Sequence, residues 1–220
     1  MNALERDGFT LVSALLSPAE CRVIAGKIET MRCASVGTRR LLSQDWCRSL
    51  AVKIRQHPAL SPLIPAGLVA VQCTFFEKSA SRNWLVAVHQ DLSIPVAERI
   101  EHSALQGWSV KEGQLYVRAP VEVLQRLIAV RIHLDMCGAD DGPLRLVLGS
   151  HLQGLVTAEC AALARQQEIV CVAEAGSALL MRPLLLHSSS KSSGKSQRRV
   201  LHFLFAPLEL PLGLRWSDTV

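Results

Sequence analysis

Paired cysteines are missing from this chain. Its seven cysteines are odd in number, scattered from Cys21 to Cys171, and never form a Cys-x-x-Cys pair. That argues against a disulfide framework and a structural zinc knot, and leaves most of them as small buried hydrophobes in a reducing, cytoplasmic setting. Aromatic residues are sparse too, at 5%. A formal charge of +5 would otherwise invite nucleic acid. Basic residues with no aromatics interleaved read instead as a mildly basic surface, which argues against that partner and supports only a lean toward anionic substrates. Nothing approaches the ~18 uncharged apolar residues of a membrane helix. The start, Met1-Asn2-Ala3-Leu4-Glu5-Arg6-Asp7, has neither a basic n-region nor an apolar h-region, so no secretion leader is expected.

What is abundant is apolar residue, 49% of 220. That suffices for a large buried interior in one domain spanning 1–220, and leaves room for a face between two copies, a homodimer. Residues 1–66 read as mostly helical. Ser17-Pro18 with Glu20 has the form of an N-cap, a proline in the first turn and a capping acid, followed by Val23, Ile24, Ile28 and Met31 at helical spacing. A second helix runs from Ser43 to about Gln56, ended by Pro58.

From Leu68 the period changes to short β-branched runs: 68–76, 84–88, 127–134, 144–148, 169–172, 178–181, 184–186 and 199–205. Turn residues separate them, and 157–167 is expected as an inserted helix. Helices followed by about eight strands predict a mainly β fold, a jelly-roll or barrel over 67–210 packed on N-terminal helices. The charged segment 93–126 fits poorly as core and reads as an insertion over one mouth, a natural lid.

A non-haem iron site needs two histidines and a carboxylate on one face of the metal. His89-Gln90-Asp91 has the form His-x-Asp just after a strand, where residues two apart point the same way. With seven histidines and 19 acids, chance alone supplies roughly 0.6 such pairs. Indeed His133-Leu134-Asp135 is a second. A later histidine, His187, ends the apolar run Leu184-Leu185-Leu186, and Arg198 opens the next strand eleven residues on. An arginine there suits the far carboxylate of a keto acid, because its planar fork donates two parallel hydrogen bonds.

Taken in order, His89-Gln90-Asp91-Leu92, Asp141-Gly142-Pro143-Leu144 with Gly149-Ser150-His151, Arg182-Pro183-Leu184-Leu185-Leu186-His187 and Arg198-Arg199 resemble the phytanoyl-CoA dioxygenase family, as does the leading Glu5-Arg6-Asp7-Gly8-Phe9. The resemblance covers nearly the whole chain. It implies a double-stranded β-helix, Fe(II) held by His89, Asp91 and His187, and 2-oxoglutarate anchored by Arg198 with Ser189 assisting. Arg131 stands where relatives place an aromatic beside the keto acid. In the family the ligand pair precedes the Gly-Pro-Leu turn by an intervening strand, which favours His89/Asp91 over His133/Asp135. The implied activity is a dioxygenase hydroxylating a C–H bond of a small metabolite, with dioxygen consumed and succinate and CO2 released. Asp91 favours hydroxylation over halogenation, since halogenases of this fold replace that carboxylate. Leu148 departs from the proline usual before Gly-Ser-His, and the stretch after Asp91 is longer than in the best-known members. Both bear on the substrate.

The competing reading is a catalytically silent barrel that binds a small ligand or nucleic acid. Arg131 and His133 share one strand face, which either lines the barrel or faces solvent. Strand alternation sends only one of Arg198 and Arg199 inward, and the spacing selects Arg198. Lys78 and Asn83 lie near the site in the linear map only. His151 reads as a turn residue, while His57, His102 and His202 carry no signal.

Overall fold

The computed structural model describes residues 1–31, 37–194 and 196–220, so Cys33 lies outside the described residues. A short helix α1 (Ala3–Arg6) leads into strand β1 (Phe9–Val12), then helix α2 (Pro18–Thr30). Ser17 caps α2 as its sequence predicts: Ser17 Oγ accepts from the Glu20 amide and the Glu20 carboxylate accepts from the Ser17 amide at 2.8 Å. After the two-residue strand β2 (Gly37–Thr38), helix α3 spans Asp45–Gln56. Apolar residues of both long helices, Ile24, Ile28, Leu50 and Ile54, form one cluster with the outer face of the main sheet.

The barrel begins with β3 (Leu68–Lys78), β4 (Val86–His89) and β5 (Ser93–Val96). A hairpin, β6 (Gln106–Lys111) and β7 (Gln114–Arg118), and the single turn α4 (Val121–Leu124) come next. The remaining elements are β8 (Ile128–His133), β9 (Leu144–Leu146), α5 (Ala158–Ala164), β10 (Ile169–Cys171), β11 (Ala178–Met181), β12 (His187–Ser189) and β13 (Arg198–Pro207). They build a six-stranded sheet, order β1-β11-β8-β13-β3-β2, and a four-stranded sheet, order β10-β9-β12-β4. All pairings between these strands are antiparallel. This is the jelly-roll, a double-stranded β-helix. Leu144 and Leu146 of the smaller sheet join Ala129, Leu179 and Met181 of the larger in the apolar part of the interior.

Strand β13 shows how one sequence serves two environments. Leu201, Phe203 and Phe205 are fully buried against the helices, while Arg198, His202 and Leu204 face the barrel cavity. Alternation along a strand is the cause. Phe203→Ala should cost about 3–5 kcal/mol through lost burial and an unfilled void, read as a lower urea midpoint at unchanged m-value.

Three expectations are revised. The segment 93–126 is not a bare loop: β5, β7 and β6 form a three-stranded sheet in that order. Ile94, Val96 and Val117 enter the apolar interior while Glu98, Arg99 and Glu101 stay outside, so the charges that argued against core describe only one face. Residues 184–186 form a buried turn before β12 rather than a strand. Phe9–Val12 pairs with β11 at the sheet edge, a strand too short to announce itself beside two helices. No helix among the described residues is long and apolar enough to cross a membrane.

Candidate active site

Strand β4 ends on His89 and β12 begins on His187, and the register places the two opposite one another. Their rings lie 4.2 Å apart between centroids. Asp91 follows at the strand exit, where its amide donates to Pro183 O at 2.9 Å. The residue between them, Gln90, is buried and points away. Its amide nitrogen donates to Leu184 O and Gly154 O, both at 2.7 Å, and its oxygen accepts from the Val156 amide at 3.0 Å. Gln90 thus ties the His89 turn to the His187 turn. His89 Nε2 and His187 Nε2 approach Asp91 at 3.6 and 3.7 Å, and one donor atom from each of the three side chains falls within 4.8 Å of the others.

Each ring is held by its other nitrogen. His89 Nδ1 donates to Ala87 O at 2.8 Å and His187 Nδ1 to Leu185 O at 2.9 Å. A carbonyl can only accept, so both rings keep the proton on Nδ1 and turn an Nε2 lone pair toward Asp91, which is how a metal-binding histidine is oriented. Burial disfavours the charged form of Asp91, yet the fields of His187 and His89 outweigh it and hold the carboxyl well below its usual range. Burial pushes His187 down to about 4 against the pull of Asp91. A carboxylate beside a neutral imidazole is a ready donor set for a hard-to-borderline divalent cation.

The three donors open onto a cavity of about 480 Å³ between the sheets. Arg198, Arg131 and Ser189 also line it, and Lys78 sits behind Ser189. Lys78 is opposite Arg198 in the β3–β13 register, and its ammonium donates to Ser189 Oγ at 2.8 Å and Ser190 O at 2.6 Å. Arg198 is 3% exposed, and one terminal nitrogen donates to Gly142 O. Gly142 adopts φ 64, and a Cβ there would meet Ser190 O at 2.6 Å, so glycine is needed to bring that carbonyl to the guanidinium. Arg131 contacts His202 Nδ1 at 3.1 Å and lies 5.6 Å from the Phe76 ring centre. The Nε groups of both arginines are buried with no partner among the described residues. Burial, then the field of Arg198, pushes Arg131 down to about 10 and Lys78 to about 8. Unpaired buried N–H groups amid clustered cations call for an anion that accepts several hydrogen bonds.

The two His-x-Asp pairs separate cleanly. His133 is buried inside the barrel with Arg131, whereas Asp135 lies past the strand end and accepts two 2.9 Å hydrogen bonds from the Arg199 guanidinium. Arg199 also meets Glu29 at 2.8 Å, on the helix side. Asp135 is therefore no neighbour of His133 in the sense a metal needs. Asn83 clamps Ser192 through both ends of its amide and does not line the cavity. His151 contacts Glu5 O at 3.0 Å in its turn. His202, which carried no signal in the sequence, is a cavity residue. Its place four residues after Arg198 on one strand was the available clue.

His133 and His202 are both held neutral, pushed down to about 3 by burial and by Arg131. An unfolded histidine gains its proton near 6.5, so between 6.5 and about 3 the unfolded chain holds more protons than the folded one. The contribution of these two rings to the stability of the metal-free protein should therefore be full above pH 6.5 and fall as pH drops, by at most about 1.4 kcal/mol per pH unit per ring. Urea titrations at several pH values should show a shallower slope for His133→Leu.

A jelly-roll with two histidines and one carboxylate converging on a cation-lined cavity is the architecture of a non-haem iron oxygenase. The sequence profile described as phytanoyl-CoA dioxygenase (PhyH) matches residues 4–200, and the chain belongs to that family of Fe(II)- and 2-oxoglutarate-dependent oxygenases, which use dioxygen on small-molecule substrates. No curated protein matches the chain in sequence. Solved structures do match in fold. HygX from Streptomyces hygroscopicus, with nickel, 2-oxoglutarate and hygromycin B bound, aligns at TM-score 0.65 and 16% identity over 99% of this chain and 94% of its own. The 2-oxoglutarate-dependent epimerase SnoN from nogalamycin biosynthesis aligns at 0.69 and 16% over 99% and 90%. AviO1 from Streptomyces viridochromogenes Tue57 aligns at 0.64 and 18% over 95% and 94%. At such identities the likeness speaks for the fold and not for the substrate.

Proposed function

We propose that His89, Asp91 and His187 hold the Fe(II), and that Arg198, with Ser189 and Arg131, receives 2-oxoglutarate. The enzyme then hydroxylates a C–H bond of a small metabolite. The observation that carries this reading is the convergence of three oriented donors on a cavity whose buried guanidinium N–H groups lack acceptors. Bound together, the iron and the keto acid supply oxidative decarboxylation: one oxygen atom of dioxygen ends in succinate, the other in the hydroxylated product, and CO2 leaves.

The protein's own part is positional. Nδ1–carbonyl bonds fix both imidazoles, so neither ring can turn its donor out of the cavity. Asp91 occupies the position where a small residue would admit a halide, and its carboxylate therefore supports hydroxylation. Arg198 can offer a fork to the distal carboxylate, with the Lys78–Ser189 pair at its side. The cavity wall at Leu127, Leu144, Leu204 and Phe76 keeps the reacting region short of water. Residues 93–126, over one mouth, are the segment we assign to substrate reading.

Titration of the anaerobic protein with Fe(II) and 2-oxoglutarate tests the reading. A visible charge-transfer band that requires both additions is expected, together with succinate release on admission of dioxygen. A protein that takes up neither would sink the proposal.

A further inference from the structure

At the tip of the β6–β7 hairpin, Glu112 adopts the left-handed φ of 52 and Gly113 follows at 75. A non-glycine residue is uncommon there, and the two-residue turn between the paired Lys111 and Gln114 asks for positive φ at both positions. Three contacts hold the side chain of that turn: the Glu112 carboxylate accepts from Thr38 Oγ1 at 3.0 Å, from the Arg39 amide at 2.8 Å and from the Arg39 guanidinium at 3.0 Å. The hairpin tip is thus strapped to the 37–39 segment, and Arg39 and Lys111 both line the cavity.

Glu112 is consumed by Arg39, so Lys111 is left without an acid. Among the described residues its ammonium has no hydrogen bond or ion pair and lies 4.8 Å from the centre of the Tyr116 ring. Electrostatic balance points the same way. The lining carries Arg39, Lys111, Arg131 and Arg198 against one carboxylate, Asp91. A ferrous ion and the 2-oxoglutarate dianion cancel each other in charge, and Glu112 offsets Arg39. The wall therefore keeps a positive surplus after metal and cosubstrate are in place, focused by a half-enclosed, low-dielectric site. The cavity, about 480 Å³ shared with 2-oxoglutarate, suits a compact partner at the three donors.

We propose that the substrate is a compact organic anion whose carboxylate or phosphate group docks on Lys111, with its body along Tyr116, Trp84 and Phe76 toward the His89–Asp91–His187 cluster. This rests on the oxygenase reading above and names its substrate class. Lys111 is a specificity residue in this account, and the Glu112–Arg39 strap positions it.

The test uses the anaerobic protein loaded with Fe(II) and saturating 2-oxoglutarate, so that Arg198 is occupied. Calorimetric titration with 3-phenylpropanoate, phenyl phosphate and the neutral 3-phenylpropanamide should show both anions binding at least roughly ten-fold more tightly than the amide, and the tighter anion names the group. Lys111→Gln should remove that preference and Lys111→Arg should retain it. Arg22→Gln, an equal change of net charge on the exposed face of α2, should leave it alone. Equal affinity for amide and anions, no binding by any probe, or a preference that survives Lys111→Gln overturns the inference. If the iron–keto-acid band forms normally in those cases, only the inference is lost. If the band never forms, the oxygenase reading falls and takes the inference with it.

Discussion

His187→Ala should lower ferrous-ion affinity by at least about 100-fold and 2-oxoglutarate turnover by about three orders of magnitude, which corresponds to roughly 4 kcal/mol of transition-state stabilisation. Removal of an imidazole that is 4% exposed takes away one of three donors and leaves a void beside the remaining two. Loss of a group that merely orients a ligand commonly costs 10–100-fold, so loss of the ligand itself should exceed that. The informative companion is Asp135→Ala. It removes the other His-x-Asp carboxylate and breaks two hydrogen bonds from Arg199. A stability cost of about 1–3 kcal/mol is expected with iron binding and turnover intact. The measurements are the anaerobic visible band, succinate yield and urea midpoint of each variant. Iron binding lost in Asp135→Ala but kept in His187→Ala would reverse the assignment.

Arg198→Met should raise KM for 2-oxoglutarate by at least about 30-fold, because truncating one partner of a buried, hydrogen-bonded charge pair costs about 2–5 kcal/mol. Arg198→Lys should fall between, keeping the charge and losing the fork. The free protein should respond in the opposite sense. Arg198 depresses both Lys78 and Arg131: burial comes first for each, and the field of Arg198 follows. Taking out one cation relieves that repulsion at the loss of the bond to Gly142 O and of the contact with the Cys137 thiol. The thermal midpoint of cosubstrate-free Arg198→Met should therefore match or exceed that of the wild type. Meanwhile the rise in midpoint on adding 2-oxoglutarate, which scales with RT ln(1 + [L]/Kd), should shrink. A variant that loses stability and keeps its cosubstrate affinity would mark Arg198 as a structural residue.

Much of the site could be read from linear order because it is carried by strand ends. His89 and Asp91 sit at one strand exit and His187 at the start of the strand beside it, so the chain order of these turns, through its resemblance to the family, was enough to bring them together. Arg198 and Arg199 were separable for the same reason, since one faces the cavity and the other pairs with Asp135 outside. The interior face of β8 was left open between barrel and solvent, and burial of Arg131 and His133 at 6% and 4% exposure decides it. Lys111, Tyr116 and Arg39 were invisible. They reach the cavity from a hairpin and an N-terminal segment whose paths depend on contacts far apart in the chain, such as Glu112 to Arg39.

By itself the sequence determined the alternation of its strands, the helix caps and the order of the donor-bearing turns, because these depend on neighbours within a few residues. Only the tertiary structure decided that the face carrying Arg131 and His133 is interior, and which buried cations keep unpartnered N–H groups around the cavity. Those outcomes depend on which strands lie side by side and what the opposite wall supplies, and pairings between residues a hundred positions apart leave no local mark on the chain.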